Sequence, residues 1–141
     1  MDVGSRVALG AVFVWLGMVV AISFLEAPLK FRAPGVTLAV GLGIGRLVFR
    51  ALNACEFVLA VVIAASLFTR ATSLAIDVPI AVAIGTLLIQ NVVVRPLLSR
   101  RTEAVLAGEE GPRSRAHYVY IALELVKVIA LIAAGVQLTA G

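Results

Sequence analysis

Residues 7–32 read VALGAVFVWLGMVVAISFL followed by EAPLKFR: nineteen residues without a charge, then a carboxylate, a proline and two cations. A helix of roughly 20 apolar residues crosses the hydrocarbon layer of a bilayer, so Val7–Leu25 reads as a membrane span whose end is marked by the charges. Pro28 is expected to end the helix, because the residue before a proline is steered away from the α region. Lys30 and Arg32 then anchor that end at the water boundary. Glu26 sits there too, either as the polar terminus of a span or as the mouth of a polar seam.

The remainder of the chain supports the membrane reading. Its 141 residues are 62% hydrophobic and 14% charged, with mean hydropathy +1.10. A soluble domain carries about 25% charged residues, and this chain has more apolar surface than one water-soluble core can hide. The leading MDVGSR has a weak positive region, the apolar run exceeds the roughly 7–15 residues of a signal-peptide core, and no A-x-A site follows; the first span is therefore expected to be retained. Three further segments are long and apolar enough: Leu47–Phe68, Leu74–Val94 and His117–Leu138. Backbone groups in lipid must be satisfied internally, and segments this few cannot close a barrel. The predicted fold class is all-α: a polytopic membrane protein, a single four-helix transmembrane bundle over residues 1–141.

The connections differ in kind. TRATS between the second and third spans is a tight turn that predicts an antiparallel hairpin. A mixed-charge loop with Gly108, Gly111 and Pro112 as breakers joins the third and fourth. Residues 33–45, which include GVTLAVGLGIG after Pro34, are apolar and rich in glycine, and are open to a helical or a re-entrant reading. No strand precedes these glycines and no Gly-Lys-Ser/Thr follows, which excludes a phosphate-binding loop; close helix packing through Gly41, Gly43 and Gly45 fits better. Asp77-Val78-Pro79 reads as the first turn of the third helix, with the carboxylate favourable to the dipole.

Cations set the orientation. Lys30, Arg32, Arg46, Arg50, Arg95, Arg100, Arg101, Arg113 and Arg115 lie on one side, against Arg6 and Arg70 on the other. By the positive-inside rule, loops 26–46 and 95–116 face the cytoplasm and both termini lie outside, in a bacterial-type cytoplasmic (inner) membrane. Because the basic residues flank apolar spans, the net charge of +4 points to membrane lipid and not to nucleic acid.

Charged side chains at bilayer depth mark sites by default. Asn53 and Glu56 share a face of the second helix, and His117, Tyr120, Glu124 and Lys127 share one of the fourth. Glu56 lies nine residues past Leu47, roughly 13 Å in, and Lys127 ten past His117, roughly 15 Å in, near the midplane. Gln90 and Asn91 on the third helix and Glu26 on the first are shallower. The candidate polar seam is thus Glu26, Asn53, Glu56, Asn91, His117, Glu124 and Lys127, all in the cytoplasmic half, with an Ala/Val/Ile/Leu plug in the outer half. The seam either fixes bundle register or lines a cytoplasm-facing pocket. No nucleophile–base pair, metal motif or cofactor motif is present: the Glu-x-x-His pairs of di-iron bundles are missing. The lone cysteine, Cys55, points away from the Asn53/Glu56 face and reads as packing, as does Trp15; Tyr118 and Tyr120 read as an aromatic belt.

Phe24-x-x-Ala27-Pro28-x-x-Phe31 at the first helix end, Gly45-Arg46-x-x-Phe49-x-x-x-Asn53, Arg95-Pro96 ending helix three, and a last helix opened by Ala116-His117 and carrying Ala134-Gly135 near its end resemble the bacterial membrane proteins of domain-of-unknown-function family 4149, relatives of eukaryotic transmembrane protein 205. Glu26 departs from the apolar residue expected inside the first motif. The resemblance implies a four-helix membrane protein and no reaction or ligand. Two functions follow as expectations. One is a non-catalytic accessory or assembly subunit packing against a membrane-protein partner. The other is a small transporter or channel for a cation, proton or small amphiphile, which with so few helices needs a homo-oligomer.

Overall fold

The computed structural model describes residues 1–108 and 115–140, and within them every regular element is a helix. Helix α1 runs from Val3 to Arg32, α2 over Leu38–Ser66, α3 over Leu74–Leu106 and α4 over Arg115–Ala140. Each is long and apolar enough to cross a membrane. Only 28–39% of the residues in their most apolar windows are buried inside the protein, and Leu47, Val58, Val61, Val92 and Ile129 face outward. An apolar exterior of this kind is larger than the exposed patches of a typical soluble monomer.

The helices are longer than their hydropathy indicates. At 1.5 Å per residue, the 30 residues of α1 span about 45 Å, against roughly 30 Å of hydrocarbon. Hydropathy ends where the apolar residues end, whereas a helix ends where its backbone is capped. Thr37 caps α2, accepting from Val40 N–H at 3.2 Å, so residues 38–45 are helical and not re-entrant. The predicted loop 26–46 shrinks to the turn 33–37, where Gly35 takes φ +82°, a conformation that costs glycine little. The predicted loop 95–116 is helical through Leu106 and ends at Gly108, φ +95°, whose N–H reaches Val105 O. The breakers Gly111 and Pro112 and the cation Arg113 lie outside the described residues.

Neither Pro28 nor Pro96 ends its helix. In each case a wide π turn comes first, Val20–Glu26 before Pro28 and Gln90–Val94 before Pro96. Ala27 N–H donates to Ile22 O and Arg95 N–H to Gln90 O, five residues back instead of four. A proline ring inside an α-helix clashes with the carbonyl four residues earlier; the widened turn moves that carbonyl aside and the helix continues. The third helix starts at Leu74 as the apolar run indicates, with Asp77 in its first turn as expected and Pro79 just inside it.

The helices run up-down-up-down. α1 packs on α2 and α4, and Leu74–Ile89 packs on α4. The predicted α2–α3 hairpin is antiparallel but splayed: α2 approaches α3 closely chiefly along Arg95–Leu106. An apolar core of Ala8, Val12, Ile63, Ala83, Leu131 and Leu138, among others, fills one end of the bundle. The turn at that end is locked by Arg70, whose fully buried side chain donates to Asp77 Oδ1 at 2.5 Å and to Ser66 Oγ at 3.2 Å. Asp2 caps α1 through Ser5 N–H at 2.7 Å and also accepts from Ala71 N–H at 3.2 Å, tying the start of α1 to that turn.

Asp77→Ala strands a buried guanidinium and is expected to cost about 2–3 kcal/mol, seen as a lowered Tm in detergent; Arg6→Gln, an exposed cation at the same end, should leave Tm unchanged. Hydrogen bonds from Ser5 hold the Asp2 carboxyl below its ordinary 3.8. With the folded value below the unfolded one, the cap is intact above the unfolded value and is lost as pH falls through the folded one. The protection factors of the Ser5 and Ala71 amides should therefore fall together at a pH below 3.8, and Asp2→Asn should remove that step.

Candidate functional site

Beyond the apolar core, all four helices send polar side chains to one point. Lys127 Nζ on α4 donates to Glu56 Oε2 of α2 and to Glu124 Oε1 on its own helix, each at 2.6 Å. Trp15 Nε1 of α1 donates to Glu56 Oε2 at 2.7 Å. Gln90 Nε2 of α3 donates to Glu124 Oε1 at 2.8 Å and to Tyr120 O at 3.3 Å. Ser23 Oγ of α1 donates to Glu124 Oε2 at 2.5 Å. Lys127, Glu56 and Gln90 are fully buried and Glu124 nearly so.

The local geometry follows from the helices. Glu124 and Lys127 are i,i+3 neighbours and meet across one turn. Gln90 continues the stripe of Ala83 and Leu87 that faces α4. Ser23 lies within the first π turn and Gln90 opens the second, so each proline-bearing segment presents one donor to the same carboxylate. With all three charges present, two carboxylates face one ammonium. Such a set is held by charge-assisted hydrogen bonds and carries one negative charge in excess. One carboxylate oxygen, Glu56 Oε1, accepts nothing, and Asn53, one turn earlier on the same face, is buried with its side-chain oxygen and nitrogen unpartnered among the described residues.

Glu124 reaches a cavity of about 450 Å³ that opens between the helices at the end away from the apolar core. Phe24, Phe31, Leu42, Phe49, Leu98 and Ile121 give it apolar walls. Lys30, Arg46, Arg95 and His117 line it as well. Gly41 and Gly45 make room for this end of α1: a Cβ at Gly41 would overlap the Phe31 ring, and one at Gly45 would come within 2.8 Å of Lys30 Nζ. Gly43 packs on nothing in this way. At the opposite end a second cavity, about 490 Å³, is lined by Asp2, Ser5, Ala71 and Gln137 and touches no residue of the charged cluster.

Of the residues expected in a seam, Glu56, Glu124 and Lys127 come together. Asn53 is beside them without a bond. His117 lines the cavity with its ring edge-on to Tyr118, centroids 5.8 Å apart. Asn91 does not join: its Nδ2 bonds Leu87 O on its own helix at 2.9 Å, and its neighbour Gln90 takes the inward position. Glu26 faces Lys30, one turn on, at 3.8 Å, and stays outside the cluster. Cys55 points away from the site as expected but is exposed and not packed. Tyr120 is buried, its ring 5.9 Å from that of Phe49, and is not part of a belt, whereas Tyr118 is exposed. Trp15 packs, as expected, and is also a hydrogen-bond donor to the site, as is Ser23. The sequence signal that would have found Ser23 and Gln90 is the proline five or six residues downstream of each. Among the described residues no three His, Cys, Asp or Glu side chains converge as a metal ion requires.

Lys127→Met leaves two buried carboxylates opposed and is expected to cost about 3–5 kcal/mol. The triple change Glu56→Gln/Glu124→Gln/Lys127→Met removes every charge and should recover most of that loss, measured as Tm in detergent. Equal instability of the two would mean that the charges are not coupled.

No protein family, curated protein or solved structure matches the chain.

Proposed function

We propose that this chain is a multi-pass membrane protein, working as a homo-oligomer, that carries protons across the membrane and takes a small solute into the same cavity. The observation that carries this reading is a surplus carboxylate inside the bundle, reached from the cavity at one end and closed off by apolar side chains at the other. Charge at bilayer depth is costly unless paired or hydrated, so an unmatched carboxylate is a place to bind a proton or cation. A proton arriving through the cavity meets Glu124 first. Lys127 bridges that carboxylate to Glu56, whose free oxygen Oε1 is the natural place for the proton to rest, with Asn53 one turn away. Loading and unloading from opposite sides then requires the apolar layer around Ala83, Leu87 and Leu131 to part.

In this reading the cavity end lies on the cytoplasmic side of a bacterial-type inner membrane and both chain ends lie outside, following the cations. The resemblance to family 4149 is compatible and adds no chemistry. The accessory-subunit reading rests on the apolar outer faces, which lipid covers equally well, and leaves the cavity and the surplus carboxylate without a role.

Protein reconstituted in liposomes of total lipid extract with an internal pH-sensitive dye should acidify the interior after a pH jump. Glu124→Gln and Glu56→Gln, which preserve shape, are expected to lower the rate about tenfold or more at unchanged oligomer mass. No acidification by the unaltered protein, or equal rates in the variants, overturns the proposal.

A further inference from the structure

Six of the cations at the cavity end, those whose side chains the structure describes, divide into two sets. Each of three helices carries one of each kind: Lys30 and Arg32 on α1, Arg46 and Arg50 on α2, Arg95 and Arg100 on α3. Arg32, Arg50 and Arg100 are exposed, as residues that anchor a span at the lipid surface must be. Lys30, Arg46 and Arg95 instead turn into the cavity and line it.

The inward set is poorly neutralised. The side chain of Lys30 is only 10% exposed, yet its nearest carboxylate oxygen, on Glu26, is 3.8 Å away, beyond hydrogen-bond distance. Its ammonium lies instead over the rings of Phe31 and Phe49, at 5.6 and 5.9 Å. Arg46 pairs with Glu103, which is 63% exposed and so sits at the solvent rim. Arg95 forms no ion pair among the described residues. Glu124, the carboxylate on the cavity wall, shares the one ammonium of Lys127 with Glu56, so at most one negative charge is left over against the three cations. The cavity therefore presents three cations above apolar walls, in a volume within the roughly 300–1,000 Å³ of small-molecule sites.

We propose that this cavity binds an anionic amphiphile, its phosphate or carboxylate head held by Lys30, Arg46 and Arg95 and its apolar body lying along Phe31, Phe49 and Leu98. Arginine favours such oxyanions because its planar fork makes paired hydrogen bonds to them. The aromatic rings give the body an apolar wall and hold the Lys30 ammonium in place from below. Gly45 is needed because any side chain there pushes that ammonium aside. The inference rests on the membrane reading above and names the solute class for the same cavity. It is separable from transport: binding can survive where proton movement is lost, and the reverse.

The test is a titration of the detergent-purified protein, followed by native mass spectrometry, with dioleoylphosphatidylglycerol, dioleoylphosphatidylcholine, laurate and inorganic phosphate. Phosphatidylglycerol, laurate or both should bind, which identifies the source as a membrane lipid or a free anion. Phosphatidylcholine, whose head is neutral overall, should not bind, and phosphate alone should bind far more weakly than either amphiphile. Lys30→Gln, Arg46→Gln and Arg95→Gln should each weaken binding at least about tenfold, the loss of one charge-assisted hydrogen bond. The triple change Arg32→Gln/Arg50→Gln/Arg100→Gln, which removes three charges at the same end, should leave affinity unchanged. Gly45→Ala keeps every charge and guards against a folding defect; it should weaken binding too. Equal losses in the inward and outward sets, equal binding of phosphatidylcholine or free phosphate, or no binding of either anionic amphiphile overturns the proposal.

Discussion

The bundle is organised around the ammonium of Lys127, fully buried in a protein whose outer faces are almost wholly apolar. A lone charge in that setting would be prohibitive, since desolvation alone costs several kcal/mol. It is tolerated because Glu56 and Glu124 meet it at 2.6 Å, and those carboxylates in turn need donors. Trp15, Ser23 and Gln90 supply them from α1 and α3. One buried cation thus obliges all four helices to converge at one level and fixes their rotation. Such networks add little stability per bond in a membrane, about 0.6 kcal/mol on average, but sliding any helix would leave a charge unmatched.

That requirement explains the two proline segments. A strict α-helix advances 100° per residue, and a single wide turn shifts the phase of everything beyond it. In α1 the π turn holds Ser23, and past it Phe31 and Lys30 fold towards Gly41 and Gly45 of α2. In α3 the π turn begins at Gln90, and past it Arg95 and Leu98 face the cavity. Without these turns the inward stripes of the apolar half would not continue into the polar half on the same face. The prolines enforce them, because each forbids the regular backbone bond at its own position.

The sequence was legible where a physical rule is local and periodic. The four apolar runs, the polar half at one end, and the shared face of Glu124 and Lys127 all follow from span length and helical period. The chain could not be read where phase or capping intervened. Asn91 and Gln90 are adjacent, and choosing between them needs the rotation of α3, which depends on its contact with α4. Trp15 reads as packing from its depth in the span, but its indole N–H must find an acceptor when buried, and the acceptor is forty-one residues away. Tyr120 lies at belt depth, but the face it shares with Glu124 and Lys127, and not its depth, decides that it is buried. Pro28 reads as a stop because the rule for proline assumes a regular α-helix, and Arg95-Pro96 closes helix three only by resemblance; at both the backbone widens ahead of the ring and the helix continues.

The two ends of the bundle are built to different standards of rigidity. At the apolar end Arg70, Asp77, Ser66, Asp2 and Ala71 form a closed set of hydrogen bonds across three segments, and Gly4 brings α1 hard against Ser66 and Thr69. At the cavity end the cations are paired loosely or at the rim, and the walls are aromatic rings resting on glycines. Motion in a packed protein concentrates where contacts are few and polar groups incompletely matched. The cavity end is therefore the less tightly fixed of the two, while the Arg70 turn holds α1, α2 and α3 together at the far end. The charged cluster lies between them, where Ser23 and Gln90 both donate to Glu124. Those side chains belong to the two π turns, so one carboxylate ties together the segments that shape the cavity.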